Sequence, residues 1–242
     1  MHGYVAGILM LDSDPVRIPG DPGHAATFDF PVCYATAHGF TVADMLAYEP
    51  ERLTPAIAAV RELEQAGVAF VAADCGLFSL YQADLAAALE VPFVGSALSI
   101  VPLLAATLGP EIAVGIVTGH AGYLSGQHLA GAGIDPDRVV VAGMEHCPEF
   151  CRVVLEGAPD LAVNVLRAEV VEVARSLAGG TRSIGALVLE CSNLATYRSD
   201  VQEACGLPVF DMVSLIELYA DGFRRRTFSS PHLAIWRVGA LC

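Results

Sequence analysis

The chain has 242 residues, 54% hydrophobic and 17% charged, with 27 acidic against 13 basic side chains and a formal net charge of −14. Such a length and apolar content exclude a disordered chain and suit one large domain or two small ones. The acidic balance argues against nucleic-acid or anionic-membrane partners, which need a basic footprint. Every basic residue is Arg. Without Lys the chain forms no Schiff base with pyridoxal phosphate or a carbonyl substrate, and it carries no Walker A loop.

The seven cysteines, Cys33, Cys75, Cys147, Cys151, Cys191, Cys205 and Cys242, are odd in number and dispersed. They predict a reduced, cytoplasmic protein rather than a disulfide framework. Met1-His2-Gly3-Tyr4 has no basic n-region, so no signal peptide is expected. In chain order, Tyr4 to Leu11 reads as a buried parallel strand, Leu53 to Gly67 as a helix with Ile57, Val60, Leu63 and Ala66 on one side, and Val68 to Ala73 as a second strand. The apolar run Val91 to Leu108 is broken by Pro92, Gly95, Ser96, Ser99 and Pro102. It predicts a strand, a turn and a helix rather than a membrane span. Ile112 to Thr118, Val139 to Ala142 and Ile184 to Leu189 read as further strands, and Asp160 to Gly179 as a helix closed by glycine. Alternating strands and helices predict an α/β architecture with parallel sheets.

An internal repeat sharpens this. Asp74-Cys75-Gly-Leu-Phe-Ser-Leu-Tyr81-Gln-Ala-Asp84 aligns without gaps with Glu190-Cys191-Ser-Asn-Leu-Ala-Thr-Tyr197-Arg-Ser-Asp200, 116 residues on, and the same offset superposes Pro92 on Pro208 and Ile100 on Ile216. Val5-Ala6-Gly7-Ile8 resembles Ala113-Val114-Gly115-Ile116 at an offset of 108. Two related α/β lobes are expected, related by a pseudo-two-fold. The first comprises residues 1–105 plus 211–242 and the second residues 106–210, with the active site in the cleft between them.

Each matched Cys ends a strand and opens a helix, where ligands bind in open α/β sheets and where a helix N-terminus favours a thiolate. Two thiols facing one cleft suit two-base inversion: one takes a proton from a substrate Cα and the other returns one to the opposite face, with no cofactor. Backbone N–H groups near Gly76 and Asn193, with nearby hydroxyls such as Ser192, would hold the developing enediolate. The competing reading is two buried cysteines acting as small hydrophobes.

Asp74-Cys75-Gly76 with Tyr81-Gln82, and Leu189-Glu190-Cys191-Ser192-Asn193 with Tyr197, resemble the cofactor-independent Asp/Glu/hydantoin racemase superfamily. Arg17-Ile18-Pro19-Gly20-Asp21, with Ala25-Ala26-Thr27 after it, resembles an uncharacterised branch of it. The resemblance implies two flavodoxin-like lobes with the C-terminal helix returning to the first, acid–base thiols at Cys75 and Cys191, and a homodimer. It also implies an acidic site residue where Asp12 ends the first strand; the alternative is a turn or cap aspartate. Ser192-Asn193 stand where glutamate racemases have Thr and His. The function expected is inversion at a carbon next to the carboxylate of a small-molecule substrate such as an amino acid. A decarboxylase or maleate-type isomerase of the same superfamily, or a non-catalytic carboxylate binder, are the alternatives.

Further candidates come from position. Thr118 and His120 end the strand that opens the second half, and either can contact a carboxylate. Arg17, in a Pro/Gly-rich loop, can clamp one, or simply lie on the surface. Asp74 and Glu190 can cap helices; buried beside the thiols they would oppose thiolate formation. His146-Cys147-x-x-x-Cys151 lacks metal-site spacing. Cys205 reads as core, Cys33 and Cys242 receive no role, and Arg224-Arg225-Arg226 reads as a solvated helix end.

Overall fold

The computed structural model describes residues 3–13, 15–47 and 49–224; Arg225, Arg226 and Cys242 lie outside them. Among the described residues, eight strands form two four-stranded sheets. β1 (Ala6–Leu11), β2 (Val32–Ala37), β3 (Phe70–Ala73) and β4 (Phe93–Val94) lie in the order β2-β1-β3-β4. β5 (Ala113–Thr118), β6 (Val139–Gly143), β7 (Ile184–Leu189) and β8 (Val209–Phe210) repeat it as β6-β5-β7-β8. Every pairing is parallel. The expected strands are all present, and the expected α/β architecture of two parallel sheets is the one observed.

The register reproduces the sequence repeat. Ala6 pairs with Phe70, and Val114 pairs with Ala186, which preserves both the 108- and the 116-residue offsets. The amide of Val71 donates to the carbonyl of Pro92, and that of Leu187 to Pro208, each at 2.9 Å. The matched prolines thus end equivalent loops by accepting from the central strand.

β2 and β8 were not legible as strands, whereas β4 falls in the run Val91 to Leu108 where a strand was expected. β2 is a half-exposed edge with a mixed sequence, Val-Cys-Tyr-Ala-Thr-Ala. β4 and β8 are two residues long and exist only through pairing to a neighbour. The helix expected over Leu53 to Gly67 runs Thr54–Gln65 and buries Ala56, Ala59, Val60 and Leu63, one turn-spaced face. Gly67 ends it with φ of 85°, a left-handed conformation that glycine adopts without strain. The second expected helix spans Val163–Ala178, burying Leu166, Val170, Ala174 and Leu177. The run Val91 to Leu108 gives β4, a 3₁₀ turn and helix Val101–Thr107, as expected from its breaks. No helix among the described residues is long and apolar enough to cross a membrane.

One apolar cluster underlies the outer face of each sheet and a third joins the sheets. The joining cluster contains Ile8, Phe70 and Ala72 from the first sheet, Val114, Ile116 and Val188 from the second, and Met212, Leu215 and Ile216 from the last helix. That helix, Met212–Phe223, starts at a capping box between Asp211 and Ser214. Its Tyr219 and Phe223 rings lie 5.5 and 6.1 Å from the Phe70 ring.

Helix Thr54–Gln65 sits on β1 because Gly7 has no side chain: a Cβ there would stand 2.9 Å from Leu63 Cβ. Gly7→Val should destabilise the fold by about 1–3 kcal/mol through overpacking. Urea unfolding at matched slope measures it, and an unchanged midpoint would mean that the helix is free to shift.

Candidate active site

β3 and β7 each end in a carboxylic acid followed by a cysteine. Cys75 and Cys191 then occupy the cap position of 3₁₀ turns Gly76–Tyr81 and Ser192–Tyr197. The expected helices after the cysteines therefore begin as 3₁₀ turns and become α-helical at Gln82 and Arg198. Both cysteines line one cavity of about 530 Å³ between the lobes, closed on other sides by Leu11, Tyr123, Phe150 and Val154. The two thiols are near enough for charge on Cys191 to raise the Cys75 thiol.

The floor of the cavity is electrostatically unusual. Arg17, from the loop after β1, donates to Asp74 Oδ2 at 2.6 Å and to Asp21 Oδ1 at 2.7 Å. Asp74 Oδ1 accepts the Leu11 amide at 3.1 Å. Burial nevertheless pushes the Asp74 carboxyl up to about 6 against these partners. Glu190 is more extreme. Its Oε2 accepts from the Thr118 hydroxyl at 2.6 Å, while Oε1 is buried and has no hydrogen-bond partner among the described residues. Burial pushes this carboxyl up to about 7. A Cβ on Gly76 would overlap Glu190 Oε1, so only glycine lets the two lobes meet here. Burial, and then the Glu190 charge, push both thiols well above their ordinary value.

The sequence-derived candidates are largely brought together. Cys75, Gly76, Thr118, His120, Cys191, Ser192, Asn193 and Arg17 all line the cavity, but several are already engaged. Arg17 is neither a surface residue nor a free clamp, because two aspartates take its guanidinium. Thr118 is committed to Glu190. His120 caps the turn Ala121–Tyr123 by accepting the Gly122 amide, and its ring stacks on Tyr123 at 4.0 Å. Asn193 donates to Asp21 Oδ2 at 3.0 Å, which directs its carbonyl oxygen to the Cys191 thiol at 3.7 Å.

Asp12 is a correction. It does not line the cavity: its Oδ2 accepts the Gly39 amide at 2.7 Å, and the side chain is 44% exposed beside His38. β1 ends at Leu11 as expected, but the carboxylate after it turns toward the loop that follows β2, where the Gly39 amide takes it. Asp74 and Glu190 do not cap the turns that follow them; they are floor residues, as is Asp21 beneath Arg17. The signal for the first two was their position at the ends of the central strands β3 and β7; Asp12 follows an equally apolar strand and is exposed, so burial itself was not legible. Cys151 donates to the Glu145 carbonyl at 3.2 Å, and neither it nor Cys147 lines the cavity.

A carboxyl held near 7 in the fold, against an ordinary 4.5, binds its proton more tightly when folded. Its stabilising contribution is complete below about 4.5 and is lost as pH rises through about 7. Glu190→Gln should therefore be more stable than the parent at pH 8, by on the order of 3 kcal/mol at most. The gap should close toward pH 5. Thermal melts across that range check this, and a constant difference would mean that Glu190 is ionised throughout.

A family model described as Asp/Glu/Hydantoin racemase matches residues 27–216. A dimethylsulfoniopropionate lyase of Durusdinium sp. clade D is 28% identical over 225 residues, 90% of this chain and 74% of the relative. Dimethylsulfoniopropionate lyase 3 of Emiliania huxleyi (strain CCMP1516) is 28% identical over 86% of this chain, which spans only 57% of that relative's length. Among solved structures, an aspartate racemase homologue from Pyrococcus horikoshii OT3 superposes with a TM-score of 0.52 at 16% identity, covering 90% of this chain and 98% of the other. Unliganded arylmalonate decarboxylase gives 0.56 at 14% identity, covering 93% and 96%. The likeness to these structures is one of fold: two lobes with parallel sheets. With a family match across most of its length and that two-lobed fold, the chain belongs to the Asp/Glu/hydantoin racemase family.

Proposed function

We propose that this chain is a lyase that removes a proton from the carbon next to a carboxylate and expels a leaving group from the neighbouring carbon, with dimethylsulfoniopropionate as the substrate to test first. The observation that carries the carbon-acid part is the pair of thiols, at equivalent strand ends of two lobes, lining one cavity. The lyases similar to it over 86–90% of this chain support elimination as the outcome.

In the step itself a thiolate takes the proton next to the carboxylate. The C–H electron pair becomes the new C=C bond, and the C–S bond breaks with its pair leaving on sulfur. Acrylate and dimethyl sulfide depart and the enzyme keeps the proton. The two thiols are not alike. Cys191 points its S–H at Asn193 Oδ1, which favours the thiol form. A backbone amide would steady a thiolate at either position, Leu77 at Cys75 and Asn193 at Cys191, so the Asn193 Oδ1 acceptor is what sets them apart and leaves Cys75 as the base. Backbone N–H groups near Gly76 and Asn193, with the Ser192 hydroxyl, all on the cavity lining, would hold the charge that develops on the substrate carboxylate. No cofactor enters this sequence of bonds.

Racemisation or epimerisation of a carboxylate with a stereocentre is the second reading. The observation favouring it is the retention of Cys191, a proton donor that elimination does not require. The variants separate the two. Cys75→Ser should lower acrylate release by about 10²- to 10⁴-fold, the usual contribution of a positioned acid or base. Cys191→Ser should leave it within about tenfold under elimination, yet abolish inversion of a chiral substrate. Chromatographic measurement of acrylate and dimethyl sulfide checks this. Full acrylate release by Cys75→Ser would remove the reading.

A further inference from the structure

We infer that Glu190 works as a neutral carboxylic acid, and that the cavity takes up a carboxylate ligand together with one proton, carried on Glu190 Oε1 and donated to the ligand. This rests on the reading of the cavity as a carboxylate site and names how that carboxylate is recognised.

A buried site that binds an anion ordinarily supplies a cation. Here Arg17 is the only arginine among the described cavity-lining residues, and both arms of its guanidinium are taken by Asp74 and Asp21. The other titratable groups from the first lobe are Asp74 and Cys75. The second lobe adds His120, Tyr123, Glu156 and Cys191 beside Glu190. Asp74 and Asp21 already more than balance the single guanidinium, so an ionised Glu190 is an uncompensated charge, and a carboxylate ligand entering beside it would meet like charge in a poorly solvated space.

Glu190 is the group that resolves this. Asp74 has both oxygens occupied by donors, which requires the ionised form. Glu190 has one donor, the Thr118 hydroxyl, on Oε2 alone. That arrangement suits a neutral carboxyl whose Oε2 is the carbonyl oxygen and whose Oε1 bears the proton. Oε1 belongs to a side chain only 3% exposed and has no partner among the described residues, although buried polar atoms are nearly always paired. A ligand carboxylate accepting from Oε1–H completes it. As the substrate's α-proton leaves, charge builds on that same carboxylate and the bond strengthens. Protonation of Glu190 also removes the largest opposing charge on Cys75, so ligand uptake eases thiolate formation.

The test is calorimetric titration of the intact protein with propionate, in phosphate and in Tris, from pH 5 to pH 8.5. The expected result is near one proton taken up per propionate at pH 8.5, none at pH 5, and affinity falling about tenfold per pH unit above neutrality. Glu190→Gln, whose amide can donate in the same place, should bind propionate with no uptake and no pH dependence. Thr118→Val, which removes a donor favouring the ionised form, should move the onset to higher pH. Propionate binding without proton uptake, or uptake unchanged in Glu190→Gln, would overturn the inference while leaving the carboxylate site intact. Absence of propionate binding at every pH would overturn the carboxylate reading itself.

Discussion

The junction of the two lobes turns on one buried guanidinium. Arg17 reaches from the loop after β1 to Asp74, the residue before Cys75, and to Asp21. Asp21 in turn holds Asn193, two residues after Cys191. Each thiol is thus one or two residues from the same ionic chain, and the loop that carries it lies against the second lobe: Thr196 donates to the Pro19 carbonyl at 3.3 Å. Removing one member of a buried pair leaves an uncompensated charge, at a general cost of about 3–5 kcal/mol. The linkage therefore fixes the spacing of the lobes at the cavity more firmly than the apolar contacts around it, which can repack.

The same linkage sets the chemistry by subtraction. With Arg17 engaged, the cavity has no free guanidinium for a substrate carboxylate among its described lining residues, and Glu190 lies on its floor beside the thiols. Burial and the Glu190 charge hold both sulfurs as thiols. Under the proposed mechanism the base forms only when a ligand arrives and the charge is rearranged. That keeps two cysteines in a partly closed pocket unreactive toward adventitious electrophiles, since the thiolate is the nucleophile.

Most of this was written in the sequence because the fold is a repeat. The 116-residue offset fixed Cys75 against Cys191 and Pro92 against Pro208, and strand register reproduces it. Buried strands and amphipathic helices announce themselves through composition and period. The edge strand β2 and the two-residue β8 do not, since they are made by pairing rather than by their own residues. At the site, residue type at a strand end located the thiols, Thr118, His120 and Asn193. It misplaced Asp12, because knowing that β1 ends at Leu11 does not say which way the next carboxylate turns. It left Arg17 as a possible clamp, since nothing local shows that Asp21 and Asp74 converge on it. Whether a charged side chain is free or committed is a tertiary property.

The central claim is that one base, fixed on one side of the cavity, removes the proton next to a carboxylate. Dimethylsulfoniopropionate carrying a single deuterium at one or the other prochiral position of that carbon tests it most directly, through the label left in the acrylate. A base held on one face predicts that one substrate loses its deuterium completely and the other keeps it completely. Equal partial retention from both substrates would show that the proton is taken from either side, and would contradict the account.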